Sequence, residues 1–295
     1  MILVFVILLL FLALIRGRRA LGRVEGLAWI VGWSGFLACI AWPLLFLPWL
    51  PLLALWHHHK PAGEGTLLGA PIVSPEVLIV VPALNEAESL KKLLPGAPHD
   101  AQVLVIDDGS TDNTGTVALE GGAGVLRSDT PRGGGHALRL GFAVAQKVHA
   151  RFVVTMDADG QHRFEDLPAM LLPLQEDRAD LVVGSRRLGR SVGHTAVRSL
   201  GVDVFNRIIA LVTGRGVTDC SSGYRALRTD ILSDMKLRED RHHTAEMLIE
   251  AARRGLRVAE APVTILPRTA GETRKGSDWR YGLRFAGTIV RAWWG

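Results

Sequence analysis

The first sixty residues form two long apolar stretches that are separated by a short basic loop. Every residue from 2 to 15 is apolar, and residues 27–56 carry no charge and include Pro43, Pro48 and Pro51. A straight helix over the second stretch would be about 45 Å long, whereas the hydrocarbon core of a bilayer is roughly 30 Å thick. Because proline kinks or breaks helices, the pattern predicts a membrane-embedded region with either a kinked span or a re-entrant hairpin.

From residue 76 onward, short apolar runs alternate with segments of helical periodicity. This alternation is typical of α/β proteins with a mostly parallel sheet flanked by helices. Helices are predicted over Ala137–Val148, Phe164–Gln175 and Arg198–Thr213, and around Glu246. Strands are predicted at Val77–Pro82, Gln102–Ile106, Gly124–Arg127, Arg151–Thr155, Ala179–Gly184 and Arg257–Leu266.

Polar residues gather where the predicted strands end. Asn85 follows the first strand, Asp108 the second, and Asp157 and Asp159 the fourth. Ligands of open α/β sheets bind at the carboxyl ends of the strands, so we expect Asp108 to accept hydrogen bonds from a base or ribose. Two carboxylates one residue apart suit Mg²⁺ or Mn²⁺, with water and substrate phosphates as further ligands. A loop with two solvated aspartates is the alternative.

Two predicted helix starts carry further expectations. Asn85 is expected to cap the helix that follows the first strand, with Glu86 and Glu88 in the favourable first turn. The turn 133–135 consists of three glycines and opens the helix at Ala137, whose N-terminus would receive phosphate oxygens. Its pattern is neither Gly-x-Gly-x-x-Gly nor Walker A, which disfavours a Rossmann dinucleotide site and a P-loop ATPase.

The composition adds a basic balance, with a net charge of +5 over 295 residues. Because apolar stretches are present, this charge favours attraction to anionic lipid over binding of nucleic acid, with a solvated surface as the alternative. Cys39 and Cys220 provide neither a disulfide framework nor a zinc spacing. The tract His57–His59 is interpreted as a solvated membrane edge or, alternatively, as a metal tract.

Four short motifs occur in a fixed order along the chain. They are Val-Pro-Ala-Leu-Asn-Glu (81–86), Asp-Asp-Gly-Ser-Thr-Asp (107–112), Asp-Ala-Asp-Gly-Gln-His (157–162) and Val-Val-Gly-Ser-Arg (182–186). Together they resemble the family 2 glycosyltransferases over about residues 76–275. The resemblance implies the GT-A fold, which is an α/β nucleotide-diphospho-sugar transferase fold. It also implies an inverting enzyme that takes one sugar from a donor such as GDP-mannose or a UDP-sugar.

The same resemblance implies roles on the donor side of the site. Asp157, Asp159 and Gln161 would hold a divalent metal ion, Mg²⁺ or Mn²⁺. Asp157, Asp159 and Asp219 are the implied catalytic positions. The implied donor-binding residues are Pro82, Ala83, Asn85, Glu86, Asp108 and Asp157.

The second half of the chain resembles one branch of this family, the polyprenyl-phosphate sugar transferases related to dolichol-phosphate mannose synthase. The branch motifs match Gly-Ser-Arg (184–186), Asp-Cys-Ser-Ser-Gly-Tyr-Arg (219–225) and a final basic motif. In that final motif Thr273 and Arg274 replace the usual Ser and Lys, and Val202 stands where relatives often have Ser. The implied contacts to the acceptor phosphate are Arg186, Arg198, Asn206, Arg268 and Arg274. A basic membrane-facing surface is the alternative for these arginines.

The acceptor chemistry agrees with this resemblance. A lipid monophosphate is largely dianionic at pH 7 and therefore needs no strong general base. Processive synthases that glycosylate hydroxyls carry Gln-x-x-Arg-Trp, which is absent from this sequence. Asp219 is then interpreted as structural or donor-orienting. The alternatives are a transferase acting on a lipid or glycan hydroxyl, with Asp219 or Glu246 as base, and a catalytically inactive sugar-nucleotide-binding membrane protein.

These patterns predict four regions: a membrane-embedded segment (1–59), a linker (60–75), a catalytic domain (76–275) and an amphipathic helix (276–295). The last helix would lie in the membrane interface or pack on the sheet. Positive charge between the two apolar stretches places that loop in the cytoplasm, and a nucleotide-sugar enzyme also needs the cytoplasmic side. We therefore expect a re-entrant hairpin over Leu27–Trp56 and a catalytic domain that faces the cytoplasm.

Overall fold

The computed structural model describes residues 66–69, 72–191, 203, 206–211, 213–214, 216–240, 242–267, 288 and 292. These residues belong to one compact unit, Ala62–Gly295. The predicted membrane-embedded region and hairpin lie outside the described residues, as do Arg198, Arg268, Arg274 and most of the segment 276–295. Within the described ranges, the structure contains no helix with the length and apolar character needed to cross a bilayer.

An eight-stranded mixed sheet forms the centre of this unit, in the order β1-β4-β3-β2-β5-β7-β6-β8. Strands β4, β3, β2 and β5 form a parallel block, and β1 pairs antiparallel with β4. Strand β7 is antiparallel to both neighbours, β5 and β6, and β8 is parallel to β6. The strands are β1 Thr66–Leu68, β2 Val77–Ala83, β3 Ala101–Asp107, β4 Gly124–Arg127, β5 Phe152–Thr155, β6 Leu181–Ser191, β7 Arg225–Arg228 and β8 Val258–Ile265.

Helices cover both faces of the sheet. Besides five α-helices within the described ranges, residues 206–211 are helical, and short 3-10 turns occur at Leu94–Gly96, Phe164–Asp166 and Thr229–Ser233. The α-helices are α1 Ala87–Leu93, α2 Thr114–Glu120, α3 Gly134–Lys147, α4 Leu167–Gln175 and α5 His243–Arg253.

The core is divided into two apolar layers because side chains alternate along each strand. In β2, Leu78 and Val80 join the layer that contains residues of α3 and α5. Ile79 and Val81 point to the opposite layer, which contains residues of α1, α2 and α4. A strand that is covered on both faces reads as a continuous apolar run, which is why the sequence pattern predicted these strands well.

The predicted strands are confirmed, with ends that differ by one residue at most except in β6. Strand β6 begins two residues late and continues to Ser191, because its charged second half pairs with β8 beyond an irregularity. Strand β7 was not predicted, because it begins and ends with arginine. Strand β1 lies within the range 60–75 that composition indicated as a linker, so part of that range contributes an edge strand.

Candidate active site

The strand register brings the sequence motifs to one edge of the sheet. Ala83 at the end of β2 pairs with Asp107 at the end of β3, and Thr155 at the end of β5 pairs with Val80 of β2. Thr155 also pairs with Arg225, the first residue of the antiparallel strand β7. The turns after β2, β3 and β5 therefore share this edge with the turn before β7, as expected for a ligand site of an α/β sheet.

The turn after β2 is held by the turn after β3. Asn85 has a left-handed backbone, with φ of 56°, and its Oδ1 accepts a hydrogen bond of 2.8 Å from the Thr111 amide. The Glu86 amide donates to Thr114 Oγ1 at 2.9 Å. Position 86 rather than 85 precedes α1, and no side chain caps that helix. The expectation that Asn85 is an N-cap is therefore wrong, since its amide holds the neighbouring turn instead.

The predicted nucleoside-binding residues lie along these two turns. Pro82 and Ala83 end β2, with Pro82 half-buried and Ala83 buried. Asn85 is exposed and Glu86 is half-buried. Asp108 is only 3% exposed, and its carboxylate accepts hydrogen bonds from the amides of residues 132 and 133, at 2.9 and 2.7 Å. The Asp108 carboxylate thus ties the end of β3 to the glycine turn, and its contact with a base or ribose stays a prediction.

The glycine turn before α3 is covered by backbone from a distant segment. The Gly135 amide donates to the Asp240 carbonyl at 2.8 Å. A Cβ atom on Gly135 would lie 1.9 Å from the Glu239 carbonyl oxygen, so only glycine allows this approach. Arg139 Nη2 donates to Asp240 Oδ1 at 2.5 Å. The Gly135 amide is therefore occupied, and binding of phosphate oxygens at the other amides of this helix start stays a prediction.

Asp157, Asp159 and Gln161 lie together in the turn after β5. The Asp157 side chain is 44% exposed, and Asp159 is half-buried. Asp159 Oδ1 accepts a hydrogen bond of 3.1 Å from the Gln161 amide. Gln161 Nε2 donates to the Leu266 carbonyl at 3.2 Å, which leaves the amide oxygen as the atom that would ligate a cation. Two carboxylates and an amide oxygen that remain partly open to solvent fit a hard divalent ion.

This set contains too few acidic or histidine ligands to enclose a metal ion. Among the described residues, no group of three or more His, Cys, Asp or Glu side chains has the arrangement of a metal site. Mg²⁺ is usually held by few protein ligands and completed by substrate phosphates and water. The oxygen atoms of Asp157, Asp159 and Gln161 therefore fit a metal ion that binds together with the substrate of the enzyme.

His162 is a buried neighbour of this turn to which the sequence motifs assign no role. Its side chain is 5% exposed, and Nε2 lies 3.6 Å from Asp157 Oδ2. The ring centroid lies 5.1 Å from that of Tyr224, whose hydroxyl donates to the Arg163 carbonyl at 3.1 Å. The only signal in the sequence was the position of His162, directly after the Asp-Ala-Asp-Gly-Gln segment.

Arg186 and Asp219, both predicted site residues, form a buried ion pair. Arg186 Nε donates to Asp219 Oδ2 at 2.5 Å and Nη2 donates to Oδ1 at 2.6 Å, which is a bidentate arrangement. Asp219 is 1% exposed. Burial alone would raise the pKa of Asp219, but the hydrogen bonds and charge of Arg186 lower it below its ordinary value. Asp219 is thus an ionised carboxylate in a structural pair, which suits the structural role over that of a general base.

The pairing of β6 with β8 becomes irregular directly after Ser185, at Arg186. Between the pairs Ser185–Pro262 and Arg190–Thr264, five residue steps on β6 face two on β8. Arg186 is the first residue of the bulged segment. Its side chain leaves the ladder and reaches the turn before β7, as bulges commonly redirect side chains beside functional sites.

The turn that carries Asp219 is fastened by two further side chains. Asn206 Nδ2 donates to the Thr218 carbonyl at 2.6 Å, and its Oδ1 accepts from the Cys220 amide at 2.9 Å. Glu260 Oε1 accepts from the Thr218 amide at 2.8 Å. Asn206 was predicted to contact the acceptor phosphate, but both ends of its buried amide hold this turn, so a direct contact would compete with these bonds. Glu260 had no signal in the sequence beyond its place in a strand.

Glu246 is buried within α5 and holds the segment that covers the glycine turn. Its two carboxylate oxygens accept hydrogen bonds from the amides of Arg238 and Glu239, at 2.8 and 2.9 Å. Burial raises the pKa of Glu246 to about 7, although these amides and nearby Arg139 oppose the shift. At 3% exposure, Glu246 connects α5 to the loop in front of α3.

A mostly parallel sheet with partly exposed carboxylates at the ends of its central strands is the arrangement of α/β enzymes that bind their ligands at this sheet edge. The chain matches the family model described as Glycosyl transferase family 2 over residues 78–236, and it belongs to that family. This match includes the first three motifs, the Gly-Ser-Arg motif and the turn that carries Asp219. The family assignment and the enzyme class that followed from the sequence motifs are therefore confirmed.

Three curated relatives are similar over about two thirds of the chain or more. Glycosyltransferase AglJ of Haloferax volcanii is 36% identical over 66% of this chain and 64% of its own length, so the chain spans less than two thirds of that relative. The undecaprenyl-phosphate mannosyltransferase of Micrococcus luteus is 35% identical over 67% of this chain and 86% of its own. The polyprenol monophosphomannose synthase of Mycolicibacterium smegmatis is 31% identical over 75% and 89%, respectively.

A solved structure supports the fold. The glucosyl-3-phosphoglycerate synthase of Mycobacterium tuberculosis, crystallised with Mn²⁺, UDP and phosphoglyceric acid, superposes with a TM-score of 0.59. The superposition covers 79% of this chain and 87% of that chain at 18% identity. At this identity the likeness establishes the GT-A-like architecture alone.

Proposed function

We propose that this protein is an inverting glycosyltransferase that moves one sugar from a nucleotide diphosphate sugar to a polyprenyl phosphate. The observation that carries the proposal is the position of Asp157, Asp159 and Gln161, partly exposed at the same sheet edge as the Asn85 and Asp108 turns. Two relatives support this acceptor, since one is named an undecaprenyl-phosphate mannosyltransferase and the other a polyprenol monophosphomannose synthase.

On the donor side, Asp157, Asp159 and Gln161 would hold Mg²⁺ or Mn²⁺. The presence of Mn²⁺ with UDP in a structure of the same fold supports a divalent ion. When bound, the ion would neutralise charge on the leaving diphosphate. The turns after β2 and β3 would bind the nucleoside through Pro82, Ala83, Asn85, Glu86 and Asp108. Because hydrogen bonds join these two turns, the nucleoside would meet a preorganised surface.

On the acceptor side, the ion pair of Asp219 favours a phosphate nucleophile over a hydroxyl. A hydroxyl acceptor needs a base with a pKa near neutrality, whereas the Asp219 carboxylate has a lowered pKa and is occupied by Arg186. Glu246, the other candidate base, has a pKa raised to about 7, but its carboxylate is buried and binds two backbone amides, so it is not open to a substrate hydroxyl. A phosphate that is already largely dianionic needs orientation and charge stabilisation rather than a base.

The acceptor phosphate would be held by arginines whose forks match phosphate oxygens. The Arg186 side chain is 16% exposed. Its Nε and Nη2 donate hydrogen bonds to Asp219 and Ser221, whereas its Nη1 has no hydrogen-bond partner within the described ranges. It would therefore contribute one nitrogen. Most of the binding would fall to Arg198, Arg268 and Arg274. Two hydrogen bonds between Gln161 and Leu266 bring the chain that leads to Arg268 beside the Asp157 turn.

We further propose that the transfer takes place at the cytoplasmic face of a membrane. The apolar stretches within residues 1–59 would hold the enzyme at the lipid surface, and the segment 276–295 would add an amphipathic helix. A lipid acceptor and a water-soluble donor would then meet at the sheet edge.

The test uses purified full-length protein in detergent with Mg²⁺ or Mn²⁺ and a short polyprenyl phosphate. GDP-mannose, UDP-glucose and UDP-N-acetylglucosamine are supplied in parallel, and sugar in the organic phase is measured. We expect transfer from one donor and loss of transfer in EDTA. Nucleotide binding without transfer from any of several donors would overturn the proposal and favour a hydroxyl acceptor or an inactive relative.

A further inference from the structure

Arg225 is a buried arginine beside the candidate metal-binding turn that no motif argument assigned a role. It is the first residue of β7 and is 1% exposed. Its Nε donates to the Ser222 carbonyl at 3.1 Å and its Nη2 to the Cys220 carbonyl at 2.9 Å. Its Nη1 is buried without a hydrogen-bond partner in the part of the chain that the structure describes. The guanidinium therefore binds backbone carbonyls rather than a carboxylate.

Burial of a guanidinium without a paired carboxylate is energetically costly. Burial lowers the pKa of Arg225 to about 10, and the charges of Cys220, Asp219 and Asp157 oppose that shift. Two of the three opposing groups are carboxylates of the candidate active site. A cost of this kind at a site edge calls for a function that a neutral side chain would not provide.

The Cys220 and Ser222 carbonyls, which accept hydrogen bonds from Arg225, belong to the turn that packs against the Asp157 carboxylate. A Cβ atom on Gly223 would lie 2.5 Å from Asp157 Oδ1, so the Asp157 carboxylate packs directly against this glycine. The Gly223 carbonyl in turn accepts a hydrogen bond of 2.7 Å from Thr155 Oγ1. A shift of the turn by a few tenths of an ångström would therefore move the Asp157 carboxylate or open a gap behind it.

We propose that Arg225 is a positioning residue that fixes the 220–223 turn and thereby sets the orientation of Asp157 for divalent metal binding. The inference rests on the proposed function, in which Asp157 is a metal ligand. Groups behind metal ligands orient them, and their loss typically weakens metal binding about 10–100-fold. The role is geometric, because the positive charge of Arg225 by itself repels a cation.

The experiment measures binding of Mn²⁺ to the full-length protein in detergent by electron paramagnetic resonance, with saturating GDP or UDP. Arg225→Met keeps the length of the side chain and removes its fork, and Arg225→Lys keeps the charge. We expect Mn²⁺ to bind at least about tenfold more weakly in Arg225→Met, with Arg225→Lys in between. The turnover number should fall, whereas the KM for the lipid acceptor should stay the same. Arg228→Met, on the same strand at the surface, is the matched control and should bind Mn²⁺ like the wild type.

Gly223→Ala provides an independent variant if Arg225→Met does not fold, as judged by circular dichroism. Its methyl group would displace Asp157, and we expect the same loss of Mn²⁺ affinity. Gly216→Ala is its control, because a Cβ atom at position 216 meets nothing within 4 Å. Equal or tighter Mn²⁺ binding in folded Arg225 variants or in Gly223→Ala, with a wild type that binds Mn²⁺, would overturn the inference and leave the proposed function intact. A wild type that transfers sugar but binds no Mn²⁺ would instead overturn the metal role itself.

Discussion

At the scale of single residues, the candidate site separates side chains that face solvent from side chains that hold them in place. Asp157 and Asp159 are partly open, while Asp219, Asn206 and Arg225 are buried and bind other protein groups. Groups that bind substrate need access, whereas groups that orient them need fixed partners. Mutations of the two sets should therefore have different consequences.

Asp159→Asn tests the open set. Because the substitution would remove one charged oxygen ligand of the proposed metal ion, we expect metal-dependent turnover to fall by at least about 100-fold while the protein stays folded. Turnover is measured as a function of Mn²⁺ concentration, beside Asp234→Asn as an exposed control. Unchanged turnover of the Asp159 variant, or wild-type turnover that persists in EDTA, would contradict the assignment.

Asp219→Asn tests the buried set. The substitution leaves the Arg186 guanidinium buried without its carboxylate, so we expect a loss of roughly 3–5 kcal/mol in the free energy of unfolding at pH 7. The pKa of Asp219 is lowered in the folded state, so this contribution is present above its unfolded pKa and disappears as the pH falls through the folded value.

Urea unfolding at pH 7 and pH 3 checks this expectation. The difference between wild type and Asp219→Asn should shrink at pH 3. The double variant with Arg186→Met should recover part of the loss at pH 7, because it removes both charges. A variant as stable as the wild type at pH 7 would show that the pair has no structural role.

At the scale of elements, α5 and the segment 238–240 connect Glu246 to the glycine turn of α3. Glu246 binds the amides of residues 238 and 239, and residues 239 and 240 close the start of α3. The amides of residues 132 and 133 then bind Asp108. The contacts form one continuous path from α5 to the predicted nucleoside-binding turn.

Glu246→Gln tests the electrostatic state of this path. The folded pKa of Glu246 is raised from 4.5 to about 7, so its favourable contribution is present below pH 4.5 and is lost as the pH rises through about 7. The wild type should therefore lose up to roughly 3 kcal/mol between pH 5 and pH 8 through this group. The Gln variant should not show this loss.

The measurement is denaturant unfolding at both pH values for the wild type, Glu246→Gln and the exposed control Glu120→Gln. An equal change of the unfolding free energy with pH in all three proteins would contradict the assigned pKa of Glu246.

The elements also show how much of the fold the sequence could predict. Apolar runs located β2, β3, β4, β5 and β8 to within a residue, because burial on both faces makes such strands apolar throughout. Strand β7 was not predicted because its first residue is a buried arginine, whose nitrogen atoms donate to carbonyls of a turn three to five residues away. Such a bond depends on the tertiary path of the chain, which periodicity does not report.

The candidate site, like the fold, could be predicted from the sequence only in part. Motifs identified Asp157, Asp159 and Asp219, because the chemistry of these side chains is visible in their type and order. The pairing of Asp219 with Arg186, 33 residues apart in the chain, depends on the β6 bulge and was not visible. Arg225 ends the motif at 219–225, but the motif did not reveal that its side chain binds the backbone of that turn. Glu260 also binds backbone amides, and its local sequence does not distinguish it from an ordinary charged residue of a strand.

At the scale of the whole molecule, the central question is how the proposed water-soluble donor would meet the proposed lipid acceptor. The described residues belong to the unit Ala62–Gly295, and the membrane contacts are predicted in residues 1–59 and 276–295. A re-entrant hairpin would keep the basic loop after residue 15 and the catalytic unit on one side of the bilayer.

Cysteine accessibility tests this topology. In a protein whose Cys39 and Cys220 are replaced by alanine, Ala20→Cys and Gly65→Cys are labelled in intact cells and in lysates with a membrane-impermeant maleimide. The hairpin predicts that both positions react only after lysis, because both face the cytoplasm. Labelling of one position in intact cells would mean that the segment between them crosses the membrane.

The most direct test of the account is a competition between two acceptors of equal chain length, a polyprenyl phosphate and the corresponding polyprenol. Both are supplied to the wild-type protein in detergent with Mn²⁺ and the preferred donor, and mass spectrometry identifies the glycosylated lipid. We predict that sugar appears only on the phosphate, since Asp219 and Glu246, the two candidate bases, are buried and bind other protein groups. Transfer to the polyprenol at a comparable rate would contradict it.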